Sequence, residues 1–264
     1  MNKNQCEQTF SAEFNNQVQG LGATRSNIMR LLRSLDLVGW NTHEESGRLD
    51  RKAFTRFATG GTAIFSKRTH VEAEKSAVSV LIDCSGSMGY GGEIYTAQSI
   101  AIQLARILDK ADVSFAVTGF NGGDISEENV RLGDKPIGIH KQIVNFIPFK
   151  TWGDSLNRAS AKLGSINCWA GKSTPDYSAL SLTIEDLSKR EETRKILFLL
   201  TDADGYKKAH MQHLQSLADK LNIKLIAIGI GKTKVQDCFT HAENVSDVND
   251  LASASFNKLL KELR

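Results

Sequence analysis

From residue 76 onward, short apolar runs alternate with amphipathic segments. Residues 78–82, 195–200 and 224–230 have the length and the β-branched content of buried strands. Residues 94–108 instead repeat apolar side chains at helical spacing. Strands that are apolar along their whole length are buried on both faces, as in parallel sheets covered by helices. We therefore predict a doubly wound α/β fold, a mostly parallel sheet flanked by helices.

The remaining segments of this region extend the same pattern. We predict a strand at 113–120, a segment at 139–146 that is ambiguous between helix and strand, and helices at 177–187, 210–221 and 250–260. The chain shows no internal repeat, low-complexity tract or coiled coil.

The N-terminal part of the chain differs from this pattern. Residues 9–36 repeat apolar side chains at roughly helical spacing, and Thr24 or Ser26 is a candidate cap for the second of two helices. These helices either cover the sheet or dock a partner. We therefore predict an N-terminal helical extension at 1–75 and the α/β domain at 76–264.

Composition narrows the class of protein. Among 264 residues, 41% are apolar and 24% are charged, as in ordinary globular proteins, and a formal charge of +3 is too small to favour a nucleic-acid partner. The four cysteines lie far apart without paired spacing, which favours reduced thiols over a zinc site or disulfides. The N-terminus is polar, and no apolar stretch is long enough to cross a bilayer. We expect a cytoplasmic protein without a membrane partner.

The sequence Asp83-Cys84-Ser85-Gly86-Ser87 follows directly on the first predicted strand. This spacing places one carboxylate and two hydroxyl groups on a tight turn, and such hard oxygen ligands suit Mg²⁺ or Mn²⁺. Asp202 follows another predicted strand, so both segments should lie at the carboxyl edge of the sheet, where ligands bind in this fold class. Taken alone, Asp-x-Ser-x-Ser is more typical of a capped turn, and the metal site is favoured only together with the two further loops described next.

This pattern resembles the metal-ion-dependent adhesion site of von Willebrand factor A (VWA) domains. In that family a second loop contributes a threonine, which Thr174 matches, and a third loop contributes an aspartate, which Asp202 matches. The resemblance implies that five residues surround one Mg²⁺, with Mn²⁺ as the alternative and some ligands acting through water. They are Asp83, Ser85, Ser87, Thr174 and Asp202.

Two positions depart from the family pattern. The family usually has glycine directly after the third-loop aspartate, whereas Ala203-Asp204-Gly205 follows here. Asp204 is therefore an alternative ligand, although the strand register favours Asp202. Pro175 after Thr174 is also unusual and predicts a reshaped second loop.

A narrower resemblance covers most of the chain. Several segments are similar to the C-terminal half of the T component of aerobic cobaltochelatase: 47–50, 64–68, 83–88, 225–231 and 248–251. In that family the protein is a non-catalytic partner of an AAA+ ATPase, and the pair acts on a large subunit that inserts cobalt into a corrin ring. The long acidic linker and N-terminal region of that component are not found in this sequence, so only the adaptor role carries over.

The resemblances imply a metal-dependent adaptor that docks an acidic residue of a protein partner. The expected partner is an AAA+ ATPase of the MoxR or cobaltochelatase S type, and a non-catalytic role is favoured. One alternative is a working subunit of a cobalt chelatase that acts on a tetrapyrrole. Another is a structural interaction domain with an empty metal site.

Competing motifs are less consistent with the sequence. Gly171-Lys172-Ser173-Thr174 resembles the end of a phosphate-binding loop, but Ile166 stands where that motif requires glycine, so we reject ATP binding. Ser85 and Ser87 lack the Gly-x-Ser-x-Gly context of a nucleophile.

Four further side chains have an ordinary interpretation beside a functional one. His210 and His213 lie one helical turn apart but lack an evident third ligand, which favours surface histidines. Trp152 and Trp169 flank a polar insertion at 151–172, where they either anchor a long loop or form part of a partner-binding rim.

Overall fold

The computed structural model describes residues 2–15, 21–32, 39–44, 46–49, 63–69, 75–123, 143–231, 233–253, 255 and 257. These residues belong to two compact units. One comprises Met1–Leu32 together with Lys75–Arg264, and the other comprises Arg33–Glu74. The division of the chain at residue 75 stays a prediction, and five of the eleven residues of the helix predicted at 250–260 lie outside the described residues.

The elements are numbered in chain order. The strands are β1 (Gly39–Glu44), β2 (Arg48–Leu49), β3 (Phe65–Thr69), β4 (Ser76–Asp83), β5 (Ser114–Gly122), β6 (Val144–Lys150), β7 (Arg194–Thr201), β8 (Ile223–Ile230) and β9 (Ala242–Val245). The α-helices are α1 (Lys3–Asn15), α2 (Leu21–Leu32), α3 (Gly86–Tyr90), α4 (Glu93–Lys110), α5 (Leu156–Leu163), α6 (Asp176–Ser188), α7 (Lys208–Lys220) and α8 (Val235–Cys238). Short 3₁₀ helices span Ile166–Trp169 and Val248–Ala252.

The larger unit contains a six-stranded sheet with the order β6-β5-β4-β7-β8-β9. All neighbouring strands pair in parallel except β5 and β6, which are antiparallel. The mostly parallel α/β fold predicted from the sequence is therefore confirmed. The ambiguous segment at 139–146 contributes to the antiparallel edge strand β6, with residues 139–142 outside the described part.

Both faces of the sheet are covered by helices. Every residue of β4 is buried, and its side chains alternate between two apolar cores. Val78, Val80 and Ile82 pack with residues of α4 and α5, whereas Ala77 and Leu81 pack with residues of α6 and α7. This arrangement explains why the central strands carry apolar side chains on both faces.

The two N-terminal helices pack into the core of the sheet domain. Phe10 and Ile28 are buried in the same cluster as α4. Helix α1 lies so close to the end of α5 that a Cβ atom at Gly164 would be 1.9 Å from the carbonyl oxygen of Cys6. The predicted cap at Thr24 is wrong, because α2 begins earlier and the Thr24 hydroxyl donates a buried 2.6 Å hydrogen bond to the Leu251 carbonyl. These helices act as a cover.

The smaller unit contains an antiparallel sheet with the order β1-β3-β2. Gly47 lies between β1 and β2 with φ 135°, and a Cβ atom there would be 2.5 Å from the Ser66 carbonyl oxygen. A glycine is therefore required at this turn. The segment predicted as a helical extension thus contains strands as well as helices.

The segment predicted as a polar insertion at 151–172 is mostly helical. Leu156, Ala159 and Leu163 form the buried face of α5, a pattern that the polar composition conceals. Trp152 lies beneath the Arg190 guanidinium, with 4.6 Å between the guanidinium carbon and the ring centroid. Trp169 remains 46% exposed. Among the described helices, none has the length and apolar character needed to span a bilayer.

Candidate metal centre

The first loop begins where β4 ends. The Asp83 side chain is fully buried, and its Oδ1 atom accepts a 2.9 Å hydrogen bond from the Ser85 backbone N–H. This bond turns the chain sharply, as an Asx turn does, and brings the next two hydroxyl groups together. The Oγ atoms of Ser85 and Ser87 are 3.0 Å apart. The predicted convergence of one carboxylate and two hydroxyls on one turn is therefore present.

The second loop lies directly on the first. The Gly86 N–H donates to the Lys172 carbonyl at 3.0 Å, and the Gly171 N–H donates to the Cys84 carbonyl at 2.9 Å. Gly171 and Lys172 both have positive φ, 155° and 67° respectively, which lets the backbone turn twice over a short distance. Two backbone hydrogen bonds therefore fix the loops to each other.

Thr174 follows this contact immediately. The Gly122 N–H at the end of β5 donates to the Ser173 carbonyl at 2.7 Å, so the loop is also fixed to the sheet. Thr174 is half-buried, and Pro175 occupies the N-cap position of α6, which begins at Asp176. Proline is tolerated at a helix start because the first N–H groups lack intrahelical partners. Pro175 therefore marks the junction between the loop and the helix.

The third loop contacts Asp83 through two hydroxyl groups. At the end of β7 the Thr201 hydroxyl donates a 2.9 Å hydrogen bond to Asp83 Oδ2, and the Tyr206 hydroxyl donates a 3.2 Å bond to the same oxygen. The Thr201 Oγ1 atom also accepts from the Ala203 N–H at 2.9 Å. The two ends of the third loop are thereby joined to the Asp83 carboxylate.

Asp202 and Asp204 differ in their positions on this loop. Asp202 is half-buried and lies close enough to Asp83 to raise its pKa, whereas Asp204 is exposed. The Asp204 N–H donates a 3.0 Å hydrogen bond to Asp202 Oδ1, so it orients that carboxylate. Ala203 between them adopts φ 54°, the left-handed conformation that favours glycine.

The surroundings of Asp83 disfavour the ionised form of its carboxyl group. Burial is the main reason why the pKa of Asp83 is raised to about 6, and the Asp202 carboxylate contributes in the same direction, while hydrogen bonds from Ser85 and Thr201 act in the opposite direction. Among the described residues, no lysine, arginine or histidine forms an ion pair with Asp83 or Asp202. The site therefore holds two carboxylates whose charges no basic side chain of the described chain offsets.

The structure brings three loops together at one edge of the sheet. Hydrogen bonds join Asp83, Ser85 and Ser87. The effect of Asp202 on the pKa of Asp83 shows that these two carboxylates lie near each other. Thr174 directly follows the residues of the second loop that contact the first loop and the sheet. Their role as metal ligands stays a prediction. Sequence reasoning missed the hydroxyl donors Thr201 and Tyr206. A threonine directly before the third-loop aspartate was a usable signal for the first, whereas nothing in the sequence indicated the second.

The alternative candidate sites do not assemble. Within the described ranges there is no group of three or more histidine, cysteine, aspartate or glutamate side chains that could hold a metal. His213 Nδ1 lies 3.2 Å from the Tyr177 hydroxyl, and His210 packs edge-on against the Tyr177 ring. None of the four cysteines, all of them described, forms a disulfide, and burial raises the pKa of Cys84 well above its ordinary value, so that thiol is unreactive.

Comparison with known families identifies this architecture. The family model "Cobalamin biosynthesis protein CobT VWA domain" matches residues 64–263. The chain belongs to this family. The match covers most of the chain, and it confirms both the VWA resemblance and the narrower resemblance to the cobaltochelatase T subunit. No curated protein matches the chain.

Two distant solved structures with TM-scores of 0.50 show the same fold, and a third match lies just below that value. Proximal thread matrix protein 1 from the mussel byssus is 18% identical with a TM-score of 0.50, over 72% of this chain and 47% of that one. BatB from Bacteroides thetaiotaomicron is 13% identical with a TM-score of 0.50, over 71% and 98%. Manganese-loaded TRAP protein from Plasmodium vivax is 16% identical with a TM-score of 0.49, over 72% and 73%. This chain therefore spans about half of the mussel protein.

Proposed function

We propose that this VWA domain is a metal-dependent protein-binding adaptor. In this proposal Asp83, Ser85, Ser87, Thr174 and Asp202 hold one Mg²⁺, with Mn²⁺ as the alternative. The metal then binds an acidic residue of a partner protein. The observation that carries the proposal is the buried Asp83 carboxylate, which lies beside Asp202 and two paired serine hydroxyls without a basic partner in the described chain.

The donor set fits a hard divalent cation. Mg²⁺ takes oxygen ligands, keeps several waters and is usually bound by one or two carboxylates rather than by a complete protein cage. A bound cation would supply the positive charge that Asp83 and Asp202 lack. Thiol or imidazole ligands, which softer metals prefer, do not contribute to this set.

An incompletely neutralised cation explains how such a site would recognise a partner. Two carboxylates balance a divalent charge formally, but Asp83 already accepts three hydrogen bonds, which draw its charge away from the cation. A glutamate or aspartate of another protein would then add a charge-assisted contact with a defined direction. Contacts of this kind contribute specificity as well as affinity.

Family membership supports an AAA+ ATPase as the partner. The cobaltochelatase T subunit, to which this family is related, acts with such an ATPase. We expect this chain to have the same non-catalytic role and to work in the cytoplasm, where its four free cysteines would stay reduced.

Metal binding is tested by thermal unfolding in MgCl₂ and in EDTA. A ligand at a hundred times its dissociation constant stabilises the native state by about 2.7 kcal/mol, so a clear rise in Tm is expected in Mg²⁺. Asp83→Ala and Asp202→Ala should abolish this rise. Asp204→Ala tests the alternative third-loop ligand: because its side chain is exposed and its N–H contacts Asp202, the rise should persist in this variant if Asp202 is the ligand.

Partner capture is tested by a pull-down from cell extract in Mg²⁺ and in EDTA. We expect an AAA+ ATPase to be retained in Mg²⁺, released by EDTA and lost with Asp83→Ala. Equal retention by the wild type and by this variant, in both buffers, would show that the metal site does not hold the partner.

The family match also favours a second candidate function, a working subunit of a cobalt chelatase, because its description names cobalamin biosynthesis. This function predicts cobalt insertion into a tetrapyrrole that depends on this chain when the usual T component is absent. An adaptor for another complex would leave that reaction unchanged.

A further inference from the structure

Two aromatic side chains are exposed beside the first and second loops. Tyr90, the last residue of α3, is 96% exposed, and Trp169, at the end of the 3₁₀ helix before the second loop, is 46% exposed. We call these two residues the aromatic rim. Aromatic residues are enriched at protein interfaces and among the residues that dominate binding energy. Because both side chains are exposed, packing in the core does not explain their position beside the candidate metal site.

The surroundings of Gly86 and Gly89 show that both residues lie near the junction of the first and second loops. The Tyr90 ring lies back over its own helix, 3.7 Å from the position of a Cβ atom on Gly86. A Cβ atom on Gly89 would lie 3.2 Å from the Ala170 Cβ, directly after Trp169. The helix that carries Tyr90 and the segment that carries Trp169 are therefore in contact.

The rim lies within reach of anything bound at the proposed metal. Tyr90 follows Ser87 by three residues in a helical segment, a rise of about 4.5 Å. In an extended peptide, residues one or two positions apart are separated by about 3.3–7 Å. The spacing between neighbouring peptide side chains therefore matches the spacing between Ser87 and Tyr90 along the helix.

We propose that the partner segment pairs its acidic residue with a large apolar side chain within two positions, and that this side chain packs on Tyr90 and Trp169. The inference rests on the proposed function and specifies the chemistry of its partner. The metal selects the carboxylate, and the rim selects its neighbour. The combination distinguishes one acidic segment from the many acidic side chains of other protein surfaces.

Synthetic peptides test this specificity. The probes are serine-glycine octapeptides with one central Glu, which carry Leu at the −2, −1, +1 or +2 position or no Leu. Each is displayed on an array and incubated with the full chain in MgCl₂ or in EDTA. We expect at least one Leu-containing peptide to retain about tenfold more protein than the peptide without Leu, which corresponds to about 1.4 kcal/mol. The same peptide with Gln in place of Glu should retain little protein.

Variants separate the rim from the metal site. Tyr90→Ser and Trp169→Ser should each reduce the Leu-dependent advantage at least threefold while they leave the Mg²⁺-induced rise in Tm unchanged. Leu221→Ser is the matched control, because Leu221 is 39% exposed just before β8 begins, at the opposite edge of the sheet. It should leave the advantage intact.

The outcomes distinguish this inference from the function on which it rests. Mg²⁺-dependent binding of Glu peptides without any Leu preference overturns the rim and leaves the adaptor function standing. The rim is likewise overturned, and the adaptor function kept, if Leu221→Ser weakens the preference as much as the rim variants do. An absence of Mg²⁺-dependent binding to every peptide overturns both proposals.

Discussion

Replacing Asp83 by asparagine should stabilise the metal-free protein. The carboxylate is buried next to Asp202, so in its ionised form it weakens the fold. Asparagine has nearly the same shape and no charge. Most substitutions in a buried polar site destabilise a protein, so an increase in stability would be a specific sign of this electrostatic strain.

The magnitude follows from the pKa. In the folded protein the pKa of Asp83 is about 6, against an ordinary value of 3.8. Each pKa unit corresponds to about 1.4 kcal/mol, so the ionised group weakens the fold by roughly 3 kcal/mol at neutral pH. The asparagine amide must replace an oxygen that accepts from both Thr201 and Tyr206, which offsets part of the gain. We therefore expect the free energy of unfolding to rise by about 2 kcal/mol.

The pH dependence has a defined sign. Because the folded state binds the Asp83 proton more tightly than the unfolded state does, this group stabilises the fold fully below about pH 4. The contribution is lost as pH rises through about 6. The advantage of Asp83→Asn should thus be greatest at pH 7.5 and shrink steadily toward pH 4.

Urea unfolding and thermal unfolding in EDTA measure this effect at pH 7.5, 6 and 5. A change of about 2 kcal/mol corresponds to roughly 4–8 °C in Tm for a chain of this size. Asp204→Asn provides the control, since that side chain is exposed and should show little pH-dependent difference. The reasoning is refuted if Asp83→Asn is less stable than the wild type in EDTA at pH 7.5, or if its advantage does not depend on pH.

Three other substitutions test the surroundings of the site. Gly122→Ala should lower Mg²⁺ affinity and cost about 1–3 kcal/mol of stability, because its Cβ would lie 1.9 Å from Ser173 Oγ. Adding Ser173→Gly to the Gly122→Ala variant should restore part of the stability and part of the Mg²⁺ affinity. Unfolding with and without MgCl₂ measures both quantities. Ala203→Gly should raise the unfolding free energy by up to about 1 kcal/mol, since φ is 54° there, and a loss in urea unfolding would contradict this. Phe10→Ala should cost about 3 kcal/mol in a single cooperative transition, whereas two separate transitions would show that α1 is not part of the core.

The sheet was predictable from the sequence because its signal is local. Strands β4, β7 and β8 each contain a run of mostly apolar residues, and α4 shows a clear helical period, so their types follow from the local pattern. The small strand β9 and the antiparallel sheet of the second unit carry no such signal. Their residues are mixed in polarity, and long-range pairing decides their structure.

The residues of the candidate site also divide into those that the sequence indicated and those that it did not. Asp83, Ser85 and Asp202 could be found because their positions follow directly from strand ends. Tyr206 could not be found, because its contact with Asp83 depends on how the third loop folds back over the sheet. Helix α5 was missed because only three of its eight residues form the buried face, and the polar residues between them conceal the helical pattern.

The hydrogen bonds of Asp83 explain why the site needs the serine hydroxyls. A carboxylate has about four acceptor positions, and three of them are occupied by Ser85 N–H, the Thr201 hydroxyl and the Tyr206 hydroxyl. These bonds hold the carboxylate in a fixed orientation before any cation arrives, so little ordering is needed on binding. Because these bonds occupy most acceptor positions of Asp83, its negative charge still attracts a cation, but few of its lone pairs are left to coordinate one. Hydroxyl and carboxylate oxygens from the other loops must therefore supply most of the ligands.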